Sequence, residues 1–126
     1  MNRTLVGVVL LVVLLAGGIA ATVWMDRSSA EIAALLDTAG DLAESGDGES
    51  GAQKAWEAYT TWQRRRNLGA VFTDHAPMEQ VDWGFARLEF YGKTGEWEAF
   101  APLCVELAEQ LRAIGEAHGV SWWNLL

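Results

Sequence analysis

Read from the amino end, the apolar residues first form one unbroken run and then recur at helical spacing along the rest of the chain. Residues 5–24, LVGVVLLVVLLAGGIAATVW, contain no charge. At about 1.5 Å per residue such a run spans about 30 Å, the thickness of a bilayer's hydrocarbon core, and it exceeds the roughly 7–15 apolar residues of a signal peptide. It predicts a transmembrane helix. Beyond it, SSAE at 28–31 matches a capping box, and Ile32, Leu35, Leu36, Ala39, Leu42 and Ala43 follow three or four apart. This predicts a helix over 28–45. No proline separates it from the apolar run, so one long helix leaving the membrane is an equal alternative. SGDGESG at 45–51 reads as a turn, after which Ala52, Ala55, Trp56, Tyr59 and Trp62 begin a second helix reaching Phe72. A third, over 77–92, carries Met78, Val81, Phe85 and Leu88 on one face and ends at GKTG, 92–95. The fourth has the most regular pattern: Trp97, Phe100, Cys104, Leu107, Leu111, Ile114 and His118, stopped by Gly119, with Pro102 imposing a kink or a late start.

These elements predict an all-α protein: an N-terminal transmembrane helix followed by an antiparallel bundle of about four helices. Residues 1–27 form the anchor with a short cytoplasmic tail, and 28–126 the bundle domain. WEAY at 56–59 and WEAF at 97–100 each follow a Gly-containing turn, which suggests two helical hairpins of tetratricopeptide-like form with a large aromatic filling each. If successive helices climb and descend, the turn at Thr73–Pro77 and the terminal SWWNLL share the membrane-proximal end.

Charge changes the picture by fixing the surroundings. The chain has 9 Lys and Arg against 17 Asp and Glu. An acidic surface repels nucleic acid and anionic lipid, so nucleic acid is excluded as a partner. The amino terminus and Arg3 lie on one side of the apolar run, whereas Asp26 and Arg27 nearly cancel on the other. The positive-inside rule therefore puts the tail in the cytoplasm and the bundle outside the cell membrane, as a single-pass protein. Gly18 with Ala20, or Ile19 with Ala21, offers small residues to a signal peptidase, which leaves secretion after cleavage as the alternative. The one cysteine, Cys104, sits at an apolar helical position and reads as a buried thiol.

Candidate chemistry is sparse. TDHAPMEQVD at 73–82 gathers a histidine, three carboxylates and a proline. Pro77 marks a helix start, Thr73 or Asp74 a cap, and Glu79 and Asp82 fall near the helix N-terminus, where the macrodipole favours carboxylates. His75, Glu79 and Asp82 are the only metal-ligand candidates, and they converge only if the helix extends back through His75, which Pro77 makes awkward. No nucleophile lies beside a base in the sequence and there is no Gly-rich phosphate loop, so neither a catalytic residue nor a cofactor is predicted. His118 is expected at a helix C-terminus, facing its dipole. Arg64, Arg65 and Arg66, and Trp122 and Trp123, are the candidate interface residues. The arginines would reach head groups or a partner's acidic loop, and the tryptophans the water interface of the bilayer.

The order of a membrane segment, SS with an apolar-periodic helix, a Trp-bearing helix, DH at 74–75, ARLEFY at 86–91 and a terminal NLL resembles the bacterial family catalogued as domain of unknown function 4363. The matching positions are Asp74, His75, Arg87, Leu88, Tyr91, Asn124 and Leu126. The chain departs from the family's pattern at Ala76 and Pro77, where acidic residues are expected, which weakens a carboxylate cluster. The resemblance implies a small membrane-anchored helical protein of spore-forming or related bacteria, with no catalytic residue. Two functions follow: a non-enzymatic accessory protein whose bundle binds another membrane protein or its own copies, or a metal or small-ligand sensor or hydrolytic domain centred on His75, Glu79 and Asp82.

Overall fold

The structure is a computed structural model that describes the backbone of residues 2–69 and 75–125, and their side chains except at 21, 22, 24–26, 68, 69, 75, 76 and 116–125. All of it is helical apart from two short turns. α1 spans Asn2–Glu44, α2 Gly48–Gly69, α3 His75–Thr94 and α4 Trp97–Leu125.

The longer of the two first-helix alternatives is the one adopted. α1 runs 43 residues without a break, so the expected capping box at SSAE does not form. A cap is needed only where backbone N–H groups lack a preceding turn, and here the turn before Ser28 supplies their acceptors. The apolar segment and the bundle therefore meet inside one helix and not at a linker. Asn2–Ala20 stands almost free of the rest of the protein and is apolar and long enough to cross a membrane. From Ser29 onward the same helix enters the core.

Both turns are the same device. Gly46 takes a φ of +94°, the Asp47 amide donates to Leu42 O and the Gly46 amide to Ala43 O. Gly95 takes a φ of +69° and the Glu96 amide donates to Tyr91 O. Such closures need a residue in the left-handed region, which glycine enters without a Cβ penalty. The first turn is shorter than SGDGESG suggested. Asp47 Oδ1 accepts from the Ser50 amide at 3.3 Å, capping a helix that starts at Gly48.

α1 packs most extensively against α4 and then α2, α3 packs against α4, and α2 touches α3 more lightly. The closure of α1 on α4 makes this an up-down-up-down bundle and not a stack of hairpins open at both ends. Ile32, Leu36 and Ala39 of α1 join Trp62 of α2, Val81, Phe85 and Leu88 of α3, and Phe100, Cys104, Leu107 and Leu111 of α4 in one core. Small residues set its spacing. The backbone at Gly40 faces Ala101 O and the Cys104 Cβ, and Gly51 faces Ala39 O and Ala43. Across the surface, Arg112 of α4 pairs with Asp37 of α1.

Other expectations need correction. Trp97 does pack into its hairpin, edge-on to Phe100 and over the space beside Gly48, but Trp56 is 58% exposed. The buried face of α2 is Gly51, Ala55, Ala58, Trp62 and Arg65, a face rotated from the one predicted. α4 starts at Trp97 and passes through Pro102, so a late start is ruled out, and it passes Gly119 to reach Leu125. Mid-helix glycine costs only about 1 kcal/mol relative to alanine and stops a helix mainly when it turns left-handed, so His118 does not lie at a C-terminus. α3 begins at His75, ahead of Pro77. The proline is third in the helix, where its absent N–H has no intrahelical acceptor to lose. The proposed caps Thr73 and Asp74 lie outside the described residues.

A β-carbon at Gly51 would sit 2.7 Å from Ala39 O, a backbone atom that cannot step aside. Gly51→Ala should therefore lower stability by about 1–3 kcal/mol through overpacking, in place of the gain of about 1 kcal/mol the same change gives on an open helix. Thermal unfolding followed by circular dichroism checks this; a raised midpoint would mean that α1 and α2 separate freely.

Candidate functional site

The polar residues that distinguish this bundle gather where α2 and α3 approach the end from which α1 leaves. α2 and α3 run antiparallel, and Trp62 and Arg66, one helical turn apart, both reach Asp82. The Trp62 Nε1–H donates to Asp82 Oδ1 at 2.7 Å, and Arg66 Nε lies 3.0 Å from Asp82 Oδ2. The second contact is an ion pair by proximity and not an aligned hydrogen bond. Both carboxylate oxygens are thus engaged, and a wholly buried indole has its one donor satisfied.

The three arginines have three different fates. Arg64 is exposed and Arg66 is half-buried in its pair with Asp82. Arg65 is only 4% exposed. Its Cζ stands 5.3 Å from the Trp62 ring centroid, a cation–π contact, while its Nε and Nη2 have no acceptor. Burial lowers its pKa from the usual arginine value, yet the guanidinium stays protonated at neutral pH. Leaving such an ion buried and unpaired costs on the order of several kcal/mol. Ser29 Oγ on α1 is also buried without a partner. The three candidate interface arginines therefore do not present one surface: Arg64 is exposed, whereas Arg65 is buried.

Of the metal-ligand candidates, the backbone places His75 and Glu79 one turn apart on α3, with Asp82 further along. Glu79 is exposed and Asp82 is turned to α2. The side chain of His75 lies outside the described residues, as do those of Trp122 and Trp123. Among the described residues, no three His, Cys, Asp or Glu side chains gather closely enough to hold a metal ion.

A second feature was not foreseen. Because α2 and α3 touch so little, a cleft of about 190 Å³ opens between them toward the other end of the bundle. Ala55, Trp56, Tyr59, Phe85 and Leu88 line it, over Phe100, and Glu89 and Lys93 stand at its margin, 2.8 Å apart. Tyr59 meets Phe85 edge-on and accepts at its hydroxyl from Gln63 Nε2. On the outer face of α3, Trp83 and Phe90 are 71% and 60% exposed.

Cys104 is buried as expected. Desolvation, and secondarily the charge of Asp37, push its thiol up to about 12. A thiol so protonated is a poor nucleophile.

No family model, curated protein or solved structure matches this chain, so the reading of the site rests on its own geometry.

Two outcomes follow. Asp82→Ala strands both the Trp62 indole and the Arg66 guanidinium, and should cost about 2–4 kcal/mol in thermal or urea unfolding; a loss below about 0.5 kcal/mol would show the pair to be solvated surface. Cys104 should resist a thiol reagent at pH 8 until the protein is unfolded. Since its folded pKa lies above the ordinary 9.0, the unfolded chain loses the proton first. This contribution to stability is full below pH 9 and falls as pH rises toward 12, by up to about 1.4 kcal/mol per unit. Cys104→Ala should flatten the pH dependence of unfolding in that window.

Proposed function

We propose that this chain is a non-enzymatic single-pass membrane accessory protein whose bundle, on the outer side of the cell membrane, binds another membrane protein or a second copy of itself. The supporting observation is α1. Its stretch Asn2–Ala20 is on average apolar enough to cross a membrane and almost uncovered, and without interruption the helix becomes a stave of the core. A cleaved leader needs no rigid connection to the domain it precedes, whereas an anchored module that must hold its bundle at a set height benefits from one.

On this reading α4, at 29 residues or about 44 Å, outreaches the bundle part of α1 and brings the turns bearing Trp122 and Trp123 to the level of the apolar segment. Trp56, Trp83 and Phe90, exposed above that level, are the apolar surface available to a protein partner.

Mild crosslinking in the native membrane, followed by detergent purification and mass spectrometry, tests the proposal. The intact chain is expected in the membrane fraction, resistant to carbonate extraction, with a stoichiometric protein or a second copy attached. Removing Trp122–Leu126 should release that partner while helical content persists. A mature soluble form beginning beyond the apolar segment, or a lone monomer after crosslinking, would overturn it.

A further inference from the structure

Among the described residues the buried Arg65 has no anion beside its Nε and Nη2, and its height in the bundle bears on where one could come from. α1 and α2 are antiparallel, with Gly51 against Ala39 and Ala43. Counting back equally along both helices brings Arg65 to the level of Arg27, within a turn of Ser29. Three residues below Arg27 the uncharged run ends at Trp24, a rise of about 4–5 Å along the helix. The polar layer of a bilayer extends about 5–7 Å beyond the hydrocarbon on each side. Arg65 therefore stands at the height of lipid phosphates.

Among the described residues no carboxylate pairs with it. Asp82 is engaged by Trp62 and Arg66, and Glu79, at the matching height of α3, is exposed and forms no ion pair with Arg65. What remains is a planar fork with two unmet donors, an unpartnered hydroxyl on the neighbouring helix at Ser29, and a free cation at Arg64. A guanidinium fork matches a phosphate in geometry and charge.

We propose that Arg65, assisted by Arg64 and Ser29, holds the phosphodiester of one phospholipid from the leaflet beneath the bundle, its acyl chains lying along the apolar part of α1. The site rests on the reading of α1 as a retained anchor. It makes the bundle's lower end a lipid-binding surface, so that a phosphate completes the packing between α1 and α2 only when the protein is in a membrane.

The test uses the full-length protein purified from its membrane in a phosphate-free detergent, with bound lipid counted by native mass spectrometry. Wild type should retain one phospholipid and, after stripping, rebind phosphatidylglycerol at least ten-fold better than a diacylglycerol of the same chains. Arg65→Met should lose that preference, and Arg64→Gln should weaken it. Melting in lipid-free detergent separates binding from folding: Arg65→Met, which removes an unpaired buried charge, should melt no lower than wild type. Arg66→Gln should melt lower yet keep the lipid. Equal phospholipid retention by wild type and Arg65→Met would overturn the proposal, as would equal binding of diacylglycerol. Stabilisation by inorganic phosphate as large as that by phosphatidylglycerol would reassign the site to a soluble anion. A photo-crosslink from position 65 to a protein in place of lipid would assign Arg65 to a protein carboxylate. Release of the chain by carbonate would instead show that the anchor reading has failed, whatever Arg65 binds.

Discussion

Everything in this protein hangs on α1 being one helix. The residues that would face lipid and those that form the core belong to the same 43-residue rod, so the bundle cannot rotate or tilt on the apolar segment without bending a hydrogen-bonded helix. The amphipathic part of that rod supplies Ile32, Leu36, Ala39 and Ala43 to the core, and the two helices packed hardest against it, α4 and α2, are those whose small residues let the backbones approach. α3 is held less directly, through α4 and through the Asp82 contacts to α2. That hierarchy explains why the one apolar cleft described here lies between α2 and α3.

The polar contacts compensate where packing is weakest. Trp62 and Arg66 reach across to Asp82 at the place where α2 and α3 share few apolar contacts, and a charge-assisted hydrogen bond from an indole is directional in a way that a leucine contact is not. It fixes the register of α3 against α2 near the end of the bundle.

The fold was largely legible, because helical periodicity and two Gly-containing turns state it directly. Val81, Phe85 and Leu88, and the whole Phe100–Cys104–Leu107–Leu111 series, are buried as the spacing required. The errors were local and have local causes. SSAE has the composition of a cap but no free helix end to cap. WEAY drew Trp56 inward because tryptophan is large and apolar, although the 3-4 rhythm of Ala55, Ala58 and Trp62 leaves it outside. The same rhythm continues to Arg65, so the signal for a buried arginine was present. It was obscured by grouping three adjacent arginines as one interface feature, when adjacent helical residues diverge by about 100° and differ in burial.

Arg65 is where the consistency of the sequence breaks, and such a break normally has a use. A methionine at that position would fill similar volume, pack on Trp62 and remove an unpaired ion, so stability alone would not select the guanidinium. Its neighbours argue the same way: Arg66 is already matched by Asp82, and among the described residues no carboxylate pairs with Arg65. A cation kept in the interior of an acidic protein, one turn above an apolar segment, fits a requirement that the protein's own residues do not meet. With α1 retained as an anchor, the phosphate layer of a membrane would meet it at the height where α1 leaves the bundle, and binding there would tie the packing of the core to the presence of the bilayer.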